Sequence, residues 1–221
     1  WNQPTSTGAS DFISEITQWS LDNFGEDVIA VRRGGTIYRF DVDASATPER
    51  AAIVSGTTNS TPTTVTSIIV SPNDRHLICL GSNQFNTTSS PNGTFDPMTV
   101  RWSNQEDITN WVPSTSSTSG ETVLTDGTKI IGGVRSRNAI NIWTDNSLWL
   151  MQFTGPPFTF SFRQAGSNCG MIGAHAGVDY NGVSYWMGDE NFYAYDGQVK
   201  TLPCTVRRFI FDDLNYDVKD K

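Results

Sequence analysis

The chain has 221 residues, 37% of them apolar and 17% charged, with a formal net charge of −8. That length suits one large all-β domain or two small ones, and it buries a core without covalent staples. The acidic balance argues against a tight nucleic-acid or membrane-surface binder, because phosphate contacts need clustered Lys and Arg. The arginines are scattered instead, as Arg32–Arg33, Arg135 with Arg137, and Arg207–Arg208. Apolar runs fall far short of the ~20 residues a membrane helix needs, so no membrane span is expected. Cys79, Cys169 and Cys204 are widely spaced without a C-x-x-C, which reads as buried thiols rather than a zinc or redox motif. The first residue is Trp1, and the chain is read as a piece of a longer polypeptide.

In chain order, Ser10–Leu21 reads as a helical stretch capped by Ser10, inside a connecting segment taken as 1–26. Asp27–Asp43 reads as a hairpin: Val28, Ile29 and Val31 lead in, Gly34–Gly35 turns, and Ile37, Tyr38 and Phe40 lead out. Ser55–Thr64 is polar and reads as a loop. Ser67–Asn83 follows as strand, turn, strand; Gln84–Pro97 reads as a second loop and Met98–Asn104 as a strand. After the Ser/Thr-rich loop Pro113–Gly120 the strands crowd together. "TKIIGGVRSR", "NAINIWTDN", "SLWLMQF" and "FTFSFRQ" come first, then a last block turned by Asn181–Gly182 and Asp196–Gly197. Near the end, Val206, Phe209, Ile210 and Leu214 form one helical face with Thr205 as its cap.

A repeat runs through these strands. Trp102, Trp143 and Trp186 stand at strand ends before polar turns, at intervals of 41 and 43 residues. A period of ~40–45 residues built from four short strands is the signature of a β-propeller blade. The fold class expected is all-β and propeller-like, over 27–204, with a C-terminal helix and tail over 205–221. From residue 27 there is room for roughly four or five blades, either a closed propeller or part of a larger ring. Coincidence within a tryptophan-rich β-sandwich is the competing explanation.

Chemistry-bearing motifs are sparse. His76 and His175 are the two histidines, and neither has a recognisable nucleophile motif around it. "GTKIIGGV" lacks the Lys-Ser/Thr spacing of a phosphate loop. Asp41–Asp43, Gly188–Glu190 and Asp212–Asp213 match no calcium loop, and no metal or other cofactor is expected. Asn59, Asn86 and Asn92 are Asn-x-Ser/Thr sites assigned to loops. The segment "VRWSNQEDITNWVPS" stands apart. Trp102 and Trp111 flank Glu106 and Asp107, with Asn104, Gln105 and Asn110 between, the residue types of a sugar cleft or glycosidase. Adjacent carboxylates diverge, however, and no sialidase-type Asp box accompanies them. The repeat offers another reading, in which Trp102 takes the slot of Trp143 and Trp186, "SNQEDITN" is a longer acidic turn, and Trp111 begins the return strand. Trp102, Gln105, Glu106, Asp107 and Trp111 then become candidates for contact between subunits. No catalytic residue is assigned.

Several of these segments together resemble one family. They are "VRWSNQEDITNWVPS", "IWTDNSLWLMQFTGPPFTFSFRQAG", the block from Ser167 to Asn215 and, more weakly, "FGEDVIAVRRGGTIYRFD". They are similar to virion structural proteins of tailed bacteriophages, the tail accessory or packaged-DNA stabilisation (nozzle, tail-tube) proteins of short-tailed phages. The resemblance spans most of residues 22 to 215, and the chain is shorter than those proteins usually are. It implies a non-enzymatic propeller-bearing subunit in the virion tail. It also implies a homo-oligomeric, six-fold ring below the portal, with portal or adaptor and other tail proteins as partners. Such a ring extends the DNA channel, helps retain the packaged genome, and meets double-stranded DNA transiently at ejection. On this reading the loops Thr57–Thr64, Gln84–Pro97 and Pro113–Gly120 carry subunit contacts or face the lumen. The alternative is a carbohydrate-binding propeller or sandwich for host glycan.

Overall fold

The computed structural model describes residues 18–43, 50–56, 60–86 and 92–216. They form four four-stranded antiparallel sheets in chain order. The first holds β1 (Trp19–Phe24), β2 (Asp27–Arg32), β3 (Ile37–Phe40) and β4 (Ala52–Ile53). The second holds β5 (Val65–Val70), β6 (Leu77–Phe85), β7 (Asn92–Trp102) and β8 (Gly120–Val123). The third holds β9 (Ile130–Arg135), β10 (Ile140–Thr144), β11 (Ser147–Gly155) and β12 (Thr159–Ser167). The fourth holds β13 (Gly177–Tyr180), β14 (Val183–Met187), β15 (Phe192–Tyr195) and β16 (Val199–Leu202), followed by the short helix α1 (Arg207–Asp212).

Each strand pairs with its sequence neighbours inside its sheet, so every sheet is an up-and-down meander, the build of a propeller blade. The leading strands approach one another, β1 beside β5, β5 beside β9 and β9 beside β13. The all-β, propeller-like architecture expected from the sequence is the architecture found.

Alternation along the strands supplies the joints between sheets. Ile29, Val31 and Ile37 of the first sheet meet Ile68, Val70 and Leu77 of the second. Ile78, Leu80, Val100 and Trp102 of the second meet Ile140, Ile142, Met151 and Phe160 of the third. Trp143 and Leu148 of the third meet Trp186 of the fourth, with Tyr193 and Tyr195 packed beside them. Each face thus matches a run read from sequence as an apolar strand.

The hairpins turn where the dipeptides direct. Asn181 (φ 53°) and Gly182 (φ 81°) join β13 to β14 with positive φ at both central residues, the geometry that Asn-Gly favours. Gly34 (φ 74°) turns between β2 and β3.

Other expectations are corrected. The Trp series is not one structural slot: Trp143 lies in β10 and Trp186 in β14, both second strands, whereas Trp102 ends β7, a third strand. The long hairpin β6–β7 shifts it, so the 41-residue step is not a blade period, while the 43-residue step is. Most of Gln84–Pro97 is the outer part of that hairpin rather than a loop, because β6 runs to Phe85 and β7 starts at Asn92. Asn92 therefore begins a strand; Asn59 lies outside the described residues, as does most of Ser10–Leu21. Trp19–Leu21 of that stretch are strand, paired with β2, so the first sheet starts inside the segment read as connecting. Helix α1 has Val206 at its N-cap with no side-chain cap bond, so Thr205 does not cap it. Its buried residue is Phe211, which meets Phe192 at 5.4 Å, while Phe209 is exposed.

Candidate functional site

A half-open cavity of about 440 Å³ lies between the leading strands, lined by Trp19–Asp22 of β1, Thr66–Ile69 of β5, Gly132–Arg135 of β9 and the Ala174–His175 turn. β5 presents an edge of backbone groups to this space, and side chains from both neighbouring sheets satisfy it. The Ser20 hydroxyl accepts from the Ile68 N–H at 3.1 Å and donates to the Ile68 carbonyl at 3.2 Å. Asp22 accepts from the Val70 N–H at 2.6 Å, and Arg135 Nε donates to the Val70 carbonyl at 2.9 Å. Arg135 and Asp22 also pair with each other, which ties the first sheet to the third across the axis. Arg75 and Glu106 form a second, more exposed pair at 3.2 Å. Arg75 lines the adjoining cavity that Asp22 and Arg135 share.

The segment singled out by sequence lies in the connection from β7 to β8. Trp102 is 6% exposed and Trp111 1%, so both indoles belong to the interior. Trp102 Nε1 donates to the Thr118 carbonyl at 2.8 Å, and its ring meets Phe160 edge-on at 5.3 Å. Trp111 begins no strand: with Ile108 it folds back into the joint between the first and second sheets, and its indole donates to the Ile108 carbonyl at 2.7 Å. The acids separate. Glu106, at φ 56°, turns to Arg75, whereas Asp107 accepts from the Thr109 N–H at 2.8 Å and the Thr109 hydroxyl at 2.6 Å. They do not face one another as a glycosidase pair does. The exposed residues of this segment are Gln105 and Glu106 in its turn and Pro113 and Ser114 at its end.

Two polar centres hold the connection in place. Arg101 is buried beneath it, with its guanidinium donating to the carbonyls of Asn83 (3.1 Å), Ser60 (3.0 Å) and Trp111 (3.4 Å) and to Asn92 Oδ1 (3.0 Å). Phe85 and Trp111 present ring faces to it at 5.7 and 5.9 Å. Burial pulls its pKa down from the ordinary arginine range, and Cys79 and Glu121 oppose that pull. Burial likewise pushes the Cys79 thiol well above its usual range, and the Cys169 thiol up to about 11, so neither is a ready nucleophile. Cys204 is also a free thiol but only half-buried.

The second centre is a line of side chains. The Ser71 hydroxyl donates to Asp74 at 2.5 Å, Asp74 faces His76 Nδ1 at 2.6 Å, and His76 Nε2 lies 3.0 Å from the Thr118 hydroxyl. Thr118 in turn donates to Asn104 and accepts from the Gln105 N–H, each at 2.9 Å. Carboxylate, imidazole and hydroxyl stand in the order of a nucleophilic relay. But His76 is fully buried beneath Phe153 and Phe160, and the space beside Asp74 measures about 30 Å³, roughly one water. As it stands the line is a strut between the β5–β6 turn and the β7–β8 connection.

The sequence pointed to His76 in a turn but not to Thr118, 42 residues away. It gave no signal for Arg101, a lone charge in an apolar strand. Of the three polar loops, Ser60 and Thr61 are buried and Pro113–Ser116 is exposed. Among the described residues no group of three or more His, Cys, Asp or Glu side chains forms a metal-binding set, and no helix is long and apolar enough to cross a membrane. No protein-family model matches the chain, and neither does any curated protein.

Proposed function

We propose that the protein is a non-enzymatic structural subunit of a bacteriophage tail. Copies of it form a ring below the portal that extends the DNA channel, helps retain the packaged genome and releases it at ejection. The observation that carries the reading is the succession of four propeller-like sheets through the segments whose sequences resemble tail accessory and nozzle proteins. Acidity is consistent with it, because a wall carrying net negative charge repels a sliding polyanion where Lys and Arg would brake it.

The axis of this propeller is not the DNA path. The Asp22–Arg135 ion pair crosses the cavity of about 440 Å³ between the leading strands, and a duplex does not pass a space bridged by side chains. On this reading DNA passes through the centre of a six-fold ring of copies, with portal or adaptor and other tail proteins above and below. A glycan-binding module would want an exposed indole beside its acids, and Trp102 and Trp111 are buried. The test is reconstitution: the full-length protein mixed with purified portal and imaged in negative stain. Rings joined to portal particles support the reading; protein that never joins portal or tail particles sinks it.

A further inference from the structure

The line of side chains from Ser71 to Asn104 has four contacts. The Ser71 hydroxyl meets Asp74 Oδ1 at 2.5 Å and Asp74 Oδ2 meets His76 Nδ1 at 2.6 Å. His76 Nε2 meets the Thr118 hydroxyl at 3.0 Å, and that hydroxyl meets Asn104 Oδ1 at 2.9 Å. Each contact needs a hydrogen between its two heavy atoms. With Asp74 a carboxylate and His76 neutral, Ser71, Thr118 and the imidazole bring one each, and the fourth contact sets lone pair against lone pair. An imidazolium supplies the missing hydrogen, because both of its nitrogens donate.

The ends of the line do not relieve the shortage. Asn104 cannot turn its amide to become the donor, because its Oδ1 accepts from the Thr118 N–H at 2.8 Å. Thr118 Oγ1 also accepts from the Gln105 N–H at 2.9 Å. With His76 donating as well, this oxygen accepts twice and donates once, the full capacity of a hydroxyl. Of the two groups that share the extra proton, imidazole is the more basic, so the proton belongs to His76.

Charge leads to the same state. Asp74 is 5% exposed and His76 fully buried. A buried carboxylate needs a cation beside it, and among the described residues His76 is the one basic group in ion-pair range of Asp74. Arg75 turns outward to Glu106, and Arg137 lines the small space beside Asp74. From β11 and β12 the groups against the imidazole are Phe153 and Phe160, which carry no charge.

We propose that this line is a proton-operated clasp: His76 is held as an imidazolium against Asp74, and loss of its proton releases Thr118 and with it the Gln105–Glu106 turn. The exposed turn is fastened at both residues, Gln105 N–H to Thr118 and Glu106 N–H to the Arg75 carbonyl at 2.9 Å. Once Nε2 is bare, the single hydrogen of Thr118 serves either His76 or Asn104, and one contact of the line opens. The hold is complete while the imidazolium persists and is lost as pH rises, so the surface offered at Gln105–Glu106 follows pH. This device stands apart from the ring and tail reading.

The test is the ¹⁵N spectrum of the full chain labelled at histidine, where His76 and the exposed His175 are the two histidines. At pH 7.5 a free imidazole is about nine-tenths neutral. His76 is expected to show both ring nitrogens protonated there; one bare nitrogen overturns the inference. Asp74→Asn removes the counter-charge and is expected to leave one nitrogen bare at the same pH, and a variant that keeps both protons also overturns it. If that variant does not fold, the wild-type spectrum decides. The release is read by raising the pH until His76 shows a bare nitrogen. The protection factor of the Gln105 N–H against hydrogen exchange then falls about five- to tenfold, the equivalent of one hydrogen bond, while those of β10 hold. Unchanged protection at Gln105, or a second ring proton that stays through pH 10, overturns the release.

Discussion

Arg101 shows how one residue fixes a long connection. Its guanidinium joins β7 to the carbonyls of Ser60, Asn83 and Trp111, three backbone positions with no other element in common. Arg101→Met keeps much of the volume but removes all four of the guanidinium's buried hydrogen bonds, which costs about 3 kcal/mol or more. The expected outcome is a lower denaturant midpoint, and Arg101→Lys recovers little of it, since one ammonium does not span four acceptors. Asp145, in the β10–β11 turn, gives a pH dependence. Burial alone raises its pKa, but the Thr128 hydroxyl and the Thr128 and Lys129 N–H groups outweigh burial and hold the carboxyl below its ordinary value. A lowered folded pKa contributes stability that is complete above the unfolded value, ~3.9, and is lost as pH falls through the folded value. The Tm gap between wild type and Asp145→Asn therefore narrows from pH 6 to pH 3; a gap that holds or widens contradicts the assignment. Neither residue was legible in sequence, because their partners lie in other elements: Ser60 is 41 residues from Arg101 and Thr128 is 17 from Asp145.

At the scale of elements, the hairpins were legible where turn chemistry is local. Asn181–Gly182 and Gly34–Gly35 announce their turns because positive φ is a property of the residues themselves. The extended β6–β7 hairpin was not, since its outer part is polar and alternation that faces water resembles a loop. That misreading carried over to the candidate site: the rhythm around Trp102 resembled that around Trp143 and Trp186, but one strand out of step. What fixes Trp102 is a neighbour rather than a period. Gly120 lies opposite it in β8, and a Cβ there would come within 2.6 Å of the indole Cζ2. Gly120→Ala is expected to cost about 1–3 kcal/mol by overpacking, seen as a lower Tm with a perturbed tryptophan emission spectrum. An unchanged Tm would mean that the indole moves aside freely.

At the scale of the molecule, apolar runs and turn signals specify four sheets, and each inward face finds a buried partner. On the outward faces of the first and fourth sheets Trp19, Leu21, Val178 and Tyr180 are exposed. The proposed ring of copies would use the acidity, because a wall of net negative charge repels a duplex sliding through it. The most direct measurement is the class-averaged image of the full-length protein bound to purified portal. The account predicts closed six-fold rings with an open central channel, coaxial with the portal. Isolated single copies, with portal particles left bare, would contradict it.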